Sequence, residues 1–422
     1  MTCTDKVTQE VQLLVLRNLK PVPQAITAII PTYNRALYLA NAIDSVLGQT
    51  VPPYELIIVD DGSVDSTREV LKSFGDRIRV IHKENGGKAS ALNVGLQNAH
   101  GELIWIFDDD DVALPDCLEK LSAALVGHPE CGFSYGGYDH LIEVDGGKSR
   151  VIDPDLRIDK SVDFRISVLE RCYIFQPGML VRRSVFEAVG PFNESLVRSQ
   201  DYEMLLRITR VFSGIEVSAI LFHQRQHLGV RGSADAPVVR GQTESSWIKY
   251  DNLIFSKIYK TYPLSEYLPG RCCGEGEIAA TRQGLLERCC VMARKGMWPQ
   301  AAADLKDYIA LVRSGASTTI TGEERLIFRR FFGPFSYADS RIAETDMFFS
   351  VLRNASPRRL RWVIATELFA PLANELGYGI RRGYVRYVLG TLRKCVIFIA
   401  KYLGVRRLRS GAIGVMRGME SR

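Results

Sequence analysis

A short apolar strand that runs into four consecutive aspartates constrains this chain more than any other stretch of its sequence. Residues 103–107 (LIWIF) predict a buried strand, and residues 108–111 (DDDD) follow it directly. Adjacent carboxylates repel one another and are costly to remove from water, so the arrangement favours a bound cation. Carboxylate oxygens suit a hard divalent ion such as Mg²⁺ or Mn²⁺. The alternative is an acidic loop that caps the helix starting at Pro115, since Asp is favoured before helices.

Alternation along an extended segment divides the aspartates into two pairs. Side chains two positions apart point the same way, so Asp108 and Asp110 are expected to face one site together. Asp109 and Asp111 are expected to face the other side or the next turn.

Three predicted strand–helix units precede the acidic strand. Their strands are residues 26–30, 55–59 and 77–82, and a segment with helical spacing of apolar residues follows each one. Such alternation predicts right-handed βαβ units and a mostly parallel sheet, in which ligands bind beyond the carboxyl ends of the strands. Each of the four strands ends in a polar cluster: residues 32–34, 60–61, 85–88 and 108–111. We therefore expect one site at this edge of the sheet.

The length, the composition and the absence of two nucleotide-binding motifs limit which classes of protein this chain can belong to. The 422 residues predict two or three domains, and 46% hydrophobic with 24% charged residues is ordinary for a globular protein. No apolar run is long enough to cross a bilayer. No G-x-G-x-x-G follows the first strand and no G-x-x-x-x-G-K-[ST] occurs. The sequence therefore lacks the motifs that usually identify a dinucleotide-binding or a P-loop protein.

The cysteines and the first residues indicate a compartment. The nine cysteines include no C-x-x-C pair and no histidine at zinc spacing. The first residues lack the pattern of an export signal, so reduced thiols and a cytoplasmic location are expected.

The net charge of +6 conceals a basic C-terminal region. Residues 351–422 contain 15 Lys or Arg and three Asp or Glu, a net +12, which leaves −6 for residues 1–350. A basic tail suggests an anionic partner surface, and without a base-stacking module no nucleic acid is expected. One helical face carries an apolar stripe of Val388, Leu392, Cys395, Val396, Ile399 and Leu403. Basic residues flank it: Arg386, Arg393, Lys394, Lys401, Arg406 and Arg407.

Two interpretations of this tail helix remain open. An apolar stripe with basic flanks is typical of a helix lying in the interface of an anionic membrane, which would place the protein peripherally on the inner face. A helix that packs its apolar face on the body of the protein and turns its charges to water fits the same pattern.

Four motifs in order resemble those of glycosyltransferase family 2. They are residues 30–35 (IPTYNR), 58–63 (IVDDGS), 85–93 (NGGKASALN) and 107–116 (FDDDDVALPD). The resemblance covers roughly residues 25–235. It implies an α/β GT-A fold, Rossmann-like with a mostly parallel central sheet, here followed by an α-helical C-terminal extension. The fourth family motif usually reads Asp-Ser-Asp-Asp, and Asp109 replaces the serine in this chain.

The resemblance also implies roles for individual residues. Pro31, Thr32 and Tyr33 would line a nucleobase pocket, and Asp61 would accept from the imide N–H of a uracil or thymine. Asp108 would bind the ribose, and Asp110 a Mn²⁺ or Mg²⁺ ion in an Asp-x-Asp motif. The expected donor-binding set is Pro31, Thr32, Tyr33, Asn34, Arg35, Asp60, Asp61, Asn85, Gly87, Lys88, Asn93, Asp108 and Asp109; the expected metal ligands are Asp110, Asp108 and His227. A lone histidine such as His227 is more often structural.

The candidate general base lies in residues 199–207 (SQDYEMLLR), after residues 177–192, which resemble the acceptor side of the family's cleft. The family usually has Glu-Asp at this position, whereas this chain has Gln200 and retains Asp201. The resemblance implies that Asp201 removes the proton from an acceptor hydroxyl. The alternative is a first-turn carboxylate whose pKa the helix dipole lowers.

The predicted organisation is a leader at 1–24, a GT-A domain at 25–240, a helical hairpin at 241–313 and a basic helical region at 314–422. The implied activity is that of an inverting, metal-dependent glycosyltransferase of the EC 2.4 type. It would move a sugar from a UDP- or dTDP-sugar to a hydroxyl acceptor, glycan or lipid-linked, in polysaccharide or cell-envelope biosynthesis. One alternative is a sugar nucleotidyltransferase, although residues 31–34 are not its Gly-rich basic loop. The other is a non-catalytic nucleotide-sugar-binding or scaffold protein.

Overall fold

The computed structural model describes residues 25–144, 148–152, 160–226, 243–268, 276–314, 319–332, 342–355, 357–382 and 385–403. The chain divides into two compact units. The first is made from Met1–Leu156 and Cys172–Tyr250, and the second from Arg157–Arg171 and Asp251–Arg422. The domain boundaries proposed from the sequence stay a prediction.

In its described residues, the first unit is built on a nine-stranded mixed sheet. Its strands are β1 (Ile26–Thr32), β2 (Glu55–Asp60), β3 (Arg79–His82), β4 (Leu103–Ile106), β5 (Val112–Ala113), β6 (Phe133–Val144), β7 (Lys148–Ile152), β8 (Met179–Arg182) and β9 (Gly214–Gln226). Its helices include α1 (Ala36–Leu47), α2 (Thr67–Lys72), α3 (Lys88–Asn98), α4 (Cys117–Gly127), α6 (Arg183–Val189) and α7 (Gln200–Val211), whereas α5 (Phe164–Glu170) belongs to the second unit.

The first four strands form the parallel half of the sheet, as the strand–helix alternation predicts. They lie in the order β3-β2-β1-β4, and every pair among them is parallel. The sheet continues with β8, which is antiparallel to β4, and then with β6, β9 and β5. Of these later pairs only β6 with β9 is parallel. Parallel neighbours need a crossover connection, and the regular crossover helices stop after β4.

The centre of this sheet is apolar because its strands are covered on both faces. All residues of β1 and β4 are buried. The Trp105 ring is fully buried, and its indole N–H donates to the carbonyl of Pro177 at 2.8 Å. Gly101, just before β4, must be glycine since an added Cβ would lie 2.6 Å from the backbone of Ala25 and Thr27. This packing fixes where the acidic residues emerge.

The second unit is helical where the structure describes it. Besides α5 it contains α9 (Glu277–Arg294), α10 (Trp298–Ser314), α11 (Gly322–Arg330), α12 (Asp346–Arg353), α13 (Arg358–Arg382) and α14 (Val385–Leu403), and α8 (Thr243–Thr261) crosses the unit boundary. The predicted helical hairpin corresponds to α9 and α10. The proposed linker at 314–321 lies partly outside the described residues. Within the described ranges, none of the helices has the length and apolar character that crossing a bilayer requires.

Candidate active site

The loops after β1 and β2 are tied together by Asn34. Its backbone adopts a positive φ of 53°, and its side-chain oxygen accepts from the N–H of Val64 at 2.8 Å. The N–H of Asn34 in turn donates to the Ser63 hydroxyl at 2.9 Å. Thr32, at the end of β1, is buried, and Tyr33 is half-buried. The residues predicted to line a nucleobase pocket therefore lie next to a loop that hydrogen bonds hold in place.

Asp60 is buried at the end of β2, where its carboxylate stabilises the loop that follows. Its carboxylate accepts from the N–H of Ser63 at 2.9 Å and contacts His82 Nδ1 at 2.8 Å. Burial opposes the charged form, but the hydrogen bonds from Ser63 and His82 hold the pKa of Asp60 below its ordinary value. Asp60 therefore keeps its negative charge beneath the site.

Asp61 holds the loop that leads into α3. Its carboxylate accepts from the N–H groups of Gly86 (2.9 Å) and Gly87 (2.7 Å), and from the Lys83 ammonium at 2.6 Å. The Asn85 amide donates to the backbone carbonyl of Asp61 at 3.0 Å. Asp61 is 3% exposed. These contacts organise the loop, and a contact with a nucleobase stays a prediction.

Lys88 begins α3 and reaches the acidic strand end. Its ammonium lies 2.6 Å from Asp108 Oδ1. Burial alone would lower the pKa of Lys88, but the negative charges of Asp108 and Asp201 raise it above its ordinary value. A permanently protonated lysine thus interacts with both the acidic motif and the candidate base.

The other aspartates of the motif differ in their surroundings. Burial and the neighbouring charge of Asp110 raise the pKa of Asp109 to about 7, although Arg35 lies 3.7 Å away and opposes the shift. Asp111 is 2% exposed and accepts from the N–H of Arg225 at 2.9 Å. Asp111 contacts β9 and Asp108 contacts Lys88, but Asp109 and Asp110 lie in a turn after β4, so the alternation expected of an extended segment stays a prediction.

Asp201 lies in the first turn of α7. Its carboxylate accepts from the N–H of Tyr202 at 2.8 Å. Burial raises the pKa of Asp201, Asp108 adds to the rise, and Lys88 opposes it. Burial therefore outweighs the lowering of the pKa by Lys88 and by the backbone N–H of Tyr202. A carboxylate with a raised pKa is a better proton acceptor, so the environment suits a general base.

The glycosyl transferase family 2 profile matches residues 27–190, which contain the four motif loops and the first strands of the sheet. This segment is a glycosyltransferase family 2 domain. An uncharacterised glycosyltransferase of Rickettsia felis is 38% identical over 207 residues, 48% of this chain and 34% of that protein. One from Rickettsia typhi is 34% identical over 204 residues, 48% of this chain and 64% of that protein. The chain thus spans less than two thirds of the length of these relatives.

Two solved structures have a similar arrangement of elements. They are S. aureus TarS 1–349 in complex with UDP-GlcNAc (TM-score 0.47, 17% identity, 81% of this chain and 91% of that chain) and the mannosyltransferase PcManGT from Pyrobaculum calidifontis in complex with GDP-Man and Mn²⁺ (TM-score 0.42, 17% identity, 87% of this chain and 96% of that chain). Because both TM-scores are below 0.5, the GT-A assignment rests on the strand order and the family 2 match.

Asn93, one of the expected donor-binding residues, makes hydrogen bonds within the protein. The Asn93 amide donates to the Phe192 carbonyl at 3.0 Å and to Glu194 at 2.7 Å, and its oxygen accepts from the Phe192 N–H at 2.8 Å. Asn93 therefore fixes the segment before α7 against α3. Its role toward a donor stays a prediction, and His227 lies outside the described residues.

Two buried amides in the described residues carry unpaired oxygens, and only one of them, Gln200, had been singled out in the sequence. Gln176 and Gln200 are 5% and 7% exposed, and their side-chain oxygens have no hydrogen-bond partner in the described part of the chain. Gln176 lies just before β8, which pairs with β4 from Leu103–Arg182 to Trp105–Leu180. No local pattern in the sequence shows this long-range pairing. Gln200 was visible as a departure from the family.

Arg225 also escaped sequence reasoning. Besides its N–H bond to Asp111, its Nε donates to the Asp110 carbonyl at 3.0 Å, and its guanidinium lies 5.2 Å from the centre of the Tyr38 ring. Arg225 thus links β9 to the acidic loop and stacks on α1. Its signal in the sequence was its position among residues 223–227 (HQRQH), beside the candidate metal ligand His227.

The acidic motif fits a hard divalent cation. Among the described residues no three His, Cys, Asp or Glu side chains converge as a ready metal site. However, Asp108 and Asp110 offer carboxylate oxygens, the donors that Mg²⁺ and Mn²⁺ prefer. Burial and the neighbouring charge of Asp110 both raise the pKa of Asp109, and a bound cation would offset the repulsion between these carboxylates.

Proposed function

We propose that this chain is an inverting glycosyltransferase that moves a sugar from a UDP- or dTDP-sugar to an acceptor hydroxyl. The observation that carries the proposal is the electrostatic coupling of Asp201, Lys88 and Asp108. This coupling places the candidate base Asp201 on α7 close to the acidic residues after β4. A transferase needs its base and its donor-binding groups close together in this way.

Asp201 would take the proton from the attacking hydroxyl. Its raised pKa favours proton uptake, and general-base catalysis of this kind contributes about 10²–10⁴-fold. Lys88 would then stabilise the carboxylate before attack and screen the negative charge of the donor phosphates. Arg35, beside Asp109, adds a second positive charge on the same side.

Asp108 and Asp110 would hold a Mn²⁺ or Mg²⁺ ion, with His227 as a further ligand predicted from the sequence. Such an ion, when bound, neutralises charge on the leaving diphosphate. Asp108 would also contact the ribose. Pro31, Thr32 and Tyr33 would enclose the base, and Asp61 would accept from its imide N–H, which favours uracil or thymine over a base without that donor.

The expected partners are a nucleotide-sugar donor and a hydroxyl acceptor, glycan or lipid-linked, in polysaccharide or cell-envelope biosynthesis. A cytoplasmic location with attachment to the inner face of an anionic membrane would bring the domain to a lipid-linked acceptor. The basic C-terminal helix supports this part of the proposal.

The test compares the wild type with Asp201→Asn in the presence of Mn²⁺ and a panel of nucleotide sugars. We expect Asp201→Asn to bind donor with unchanged affinity by calorimetry and to lose transfer by at least about 10²-fold. Asp44→Asn, which changes an exposed carboxylate on α1, should behave as the wild type. Full transfer by Asp201→Asn would refute the base assignment. Synthesis of a nucleotide sugar from a nucleoside triphosphate would overturn the proposed activity.

A further inference from the structure

Lys83 is a partly buried lysine that the expected donor-binding set leaves out. It directly follows β3, and its side chain is only 18% exposed. Its ammonium lies 2.6 Å from Asp61 Oδ1 and donates to the Glu84 carbonyl, also at 2.6 Å. A surface lysine usually keeps its ammonium in water, whereas this ammonium is turned back against a carboxylate. The loop after β3 therefore holds the charge of Lys83 in a defined place.

The backbone around Lys83 leaves room for this arrangement. A Cβ added at Gly86 would lie 2.9 Å from Lys83 Nζ, so a side chain at this position would displace the ammonium. The N–H of Lys83 donates to the Asp60 carbonyl at 3.0 Å. Gly62 has a positive φ of 83°, and a Cβ added there would lie 3.0 Å from the backbone nitrogen of Asn85. The loop after β3 thus packs closely on the end of β2.

The Asp61 carboxylate has one acceptor position left. A carboxylate offers about four lone-pair positions, two on each oxygen. Asp61 Oδ1 accepts from the Lys83 ammonium and from the Gly86 N–H, and Oδ2 accepts from the Gly87 N–H. Among the described residues no further donor forms a hydrogen bond with this carboxylate. Asp61 can therefore accept from one more N–H group, through Oδ2.

Lys83 has one donor left beside that position. An ammonium carries three N–H groups, and within the described ranges two of them have acceptors, Asp61 Oδ1 and the Glu84 carbonyl. One free acceptor position and one free donor therefore lie close together. The edge of a uracil or thymine ring presents an imide N–H with a carbonyl on each side. One carbonyl and the N–H match this pair of groups.

The pair lies next to the predicted nucleobase pocket. The N–H of Asp61 donates to the Thr32 carbonyl at 2.9 Å. Thr32 and Tyr33, which follow each other at the end of β1, are two of the residues predicted to line that pocket. Asp61 and Lys83 are thus within reach of the edge of a base that stacks there.

We propose that Lys83 is a specificity-determining residue of the donor site, and that its ammonium donates to a carbonyl beside the imide N–H of uracil or thymine. The inference rests on the proposed function, in which Asp61 accepts from that N–H. Guanine is disfavoured because an amino group lies beside its imide N–H. A carboxylate accepts from both of these donors only when both of its oxygens are free, and Oδ1 of Asp61 is already occupied.

The experiment compares UDP with 2-thio-UDP and 4-thio-UDP, in which sulfur, a weak acceptor, replaces one carbonyl oxygen. Calorimetry measures binding to the full chain with Mg²⁺ and without an acceptor. Lys83→Met removes the donors and keeps the size of the side chain, and Lys83→Arg keeps N–H donors. Lys72→Met is the matched control, since Lys72 is an exposed lysine at the end of α2. Thermal unfolding establishes that all three variants remain folded.

We expect the wild type and Lys72→Met to bind UDP at least about tenfold more tightly than one of the two analogues, because that analogue leaves an N–H of Lys83 without a good acceptor. The weaker analogue identifies the carbonyl that Lys83 contacts. Lys83→Met should bind UDP and that analogue within about twofold of each other, since it has no donor to lose. Lys83→Arg should keep the preference for UDP. The wild type should also bind UDP at least about tenfold more tightly than GDP.

The ratio of two affinities within one variant separates this role from a structural one. If Lys83 only stabilised the loop, Lys83→Met would weaken UDP and both analogues equally and the preference would persist. A preference that persists in Lys83→Met, a wild type without any preference, or tighter binding of GDP than of UDP would each overturn the inference. If Lys83→Met binds too weakly to measure, loss of the preference in Lys83→Arg overturns it and its retention supports it.

These measurements are independent of sugar transfer. A chain that shows the preference dependent on Lys83 but transfers no sugar would refute the proposed activity alone. A chain that transfers sugar from a UDP-sugar, while Lys83→Met keeps the wild-type preference, would refute the role of Lys83 alone.

Discussion

Gln200 stands beside the proposed base, where glycosyltransferase family 2 proteins usually carry glutamate. It is buried, and its side-chain oxygen has no partner within the described residues. A neutral amide at this position spares Asp201 a second negative neighbour. Asp201 already has a raised pKa from burial and from Asp108. The departure from the family therefore limits how far that pKa rises.

Gln200→Glu should move the acidic limb of the rate–pH profile to higher pH. A general base acts only when deprotonated, so activity falls as pH drops through its pKa, and an added carboxylate raises that pKa further. The measurement is kcat against pH with saturating donor and acceptor. Gln200→Met, which has similar size and no charge, should keep the limb of the wild type. Coincident limbs for Gln200→Glu and the wild type would contradict this role.

At the scale of elements, a buried ionic cluster joins α5, α9 and α11 of the second unit. Arg330 Nε lies 3.1 Å and Arg294 Nε 3.3 Å from the Glu170 carboxylate, and Arg330 also pairs with Glu287. Burial raises the pKa of Glu287 from 4.5 to about 7, with Arg330 opposing the shift. The protonated form of Glu287 is thus favoured in the folded state.

Glu287→Gln should flatten the pH dependence of stability. Since the folded state binds the Glu287 proton more tightly than the unfolded chain, this group's contribution is fully present below pH 4.5 and is lost as pH rises through about 7. The loss amounts to up to ~3 kcal/mol, at ~1.4 kcal/mol per unit of pKa shift. Urea unfolding at several pH values measures it. Glu323→Gln, an exposed control on α11, should keep the wild-type slope; a wild-type slope in Glu287→Gln would refute the assignment.

At the scale of the whole molecule, the site should couple ligand binding to the stability of the first unit. A ligand that binds only the folded state stabilises it by ~2.7 kcal/mol when present at about one hundred times its Kd. We therefore expect UDP with Mn²⁺ to raise the thermal midpoint, and a chelator to reverse the rise.

Asp110→Ala should remove the Mn²⁺-dependent part of this shift and abolish donor turnover. Asp76→Ala changes an exposed carboxylate away from the acidic motif and should leave both intact. Differential scanning of the full chain with UDP, Mn²⁺ or both separates the contributions. A Mn²⁺-dependent shift that persists in Asp110→Ala would remove Asp110 from the proposed metal ligands.

The parallel half of the sheet and the loops that carry the site follow from local patterns in the sequence. Strand–helix alternation is a local pattern, and parallel strands bring their carboxyl ends to one edge, so the loops of Thr32, Asp61, Lys88 and Asp108 were expected together. The family 2 motifs lie in these same loops. The role of each residue within them stays a prediction.

Contacts between segments far apart in the chain could not be read from local patterns. The antiparallel pairing of β8 with β4 extends the sheet beyond its parallel half, and β9 brings Arg225 to Asp110 and Asp111. The balance of burial against neighbouring charge set the direction of the pKa shift at Asp201. Which face of α14 stays exposed also depended on its packing partners. Local periodicity shows that a face is apolar, but burial depends on contacts between residues far apart in the chain.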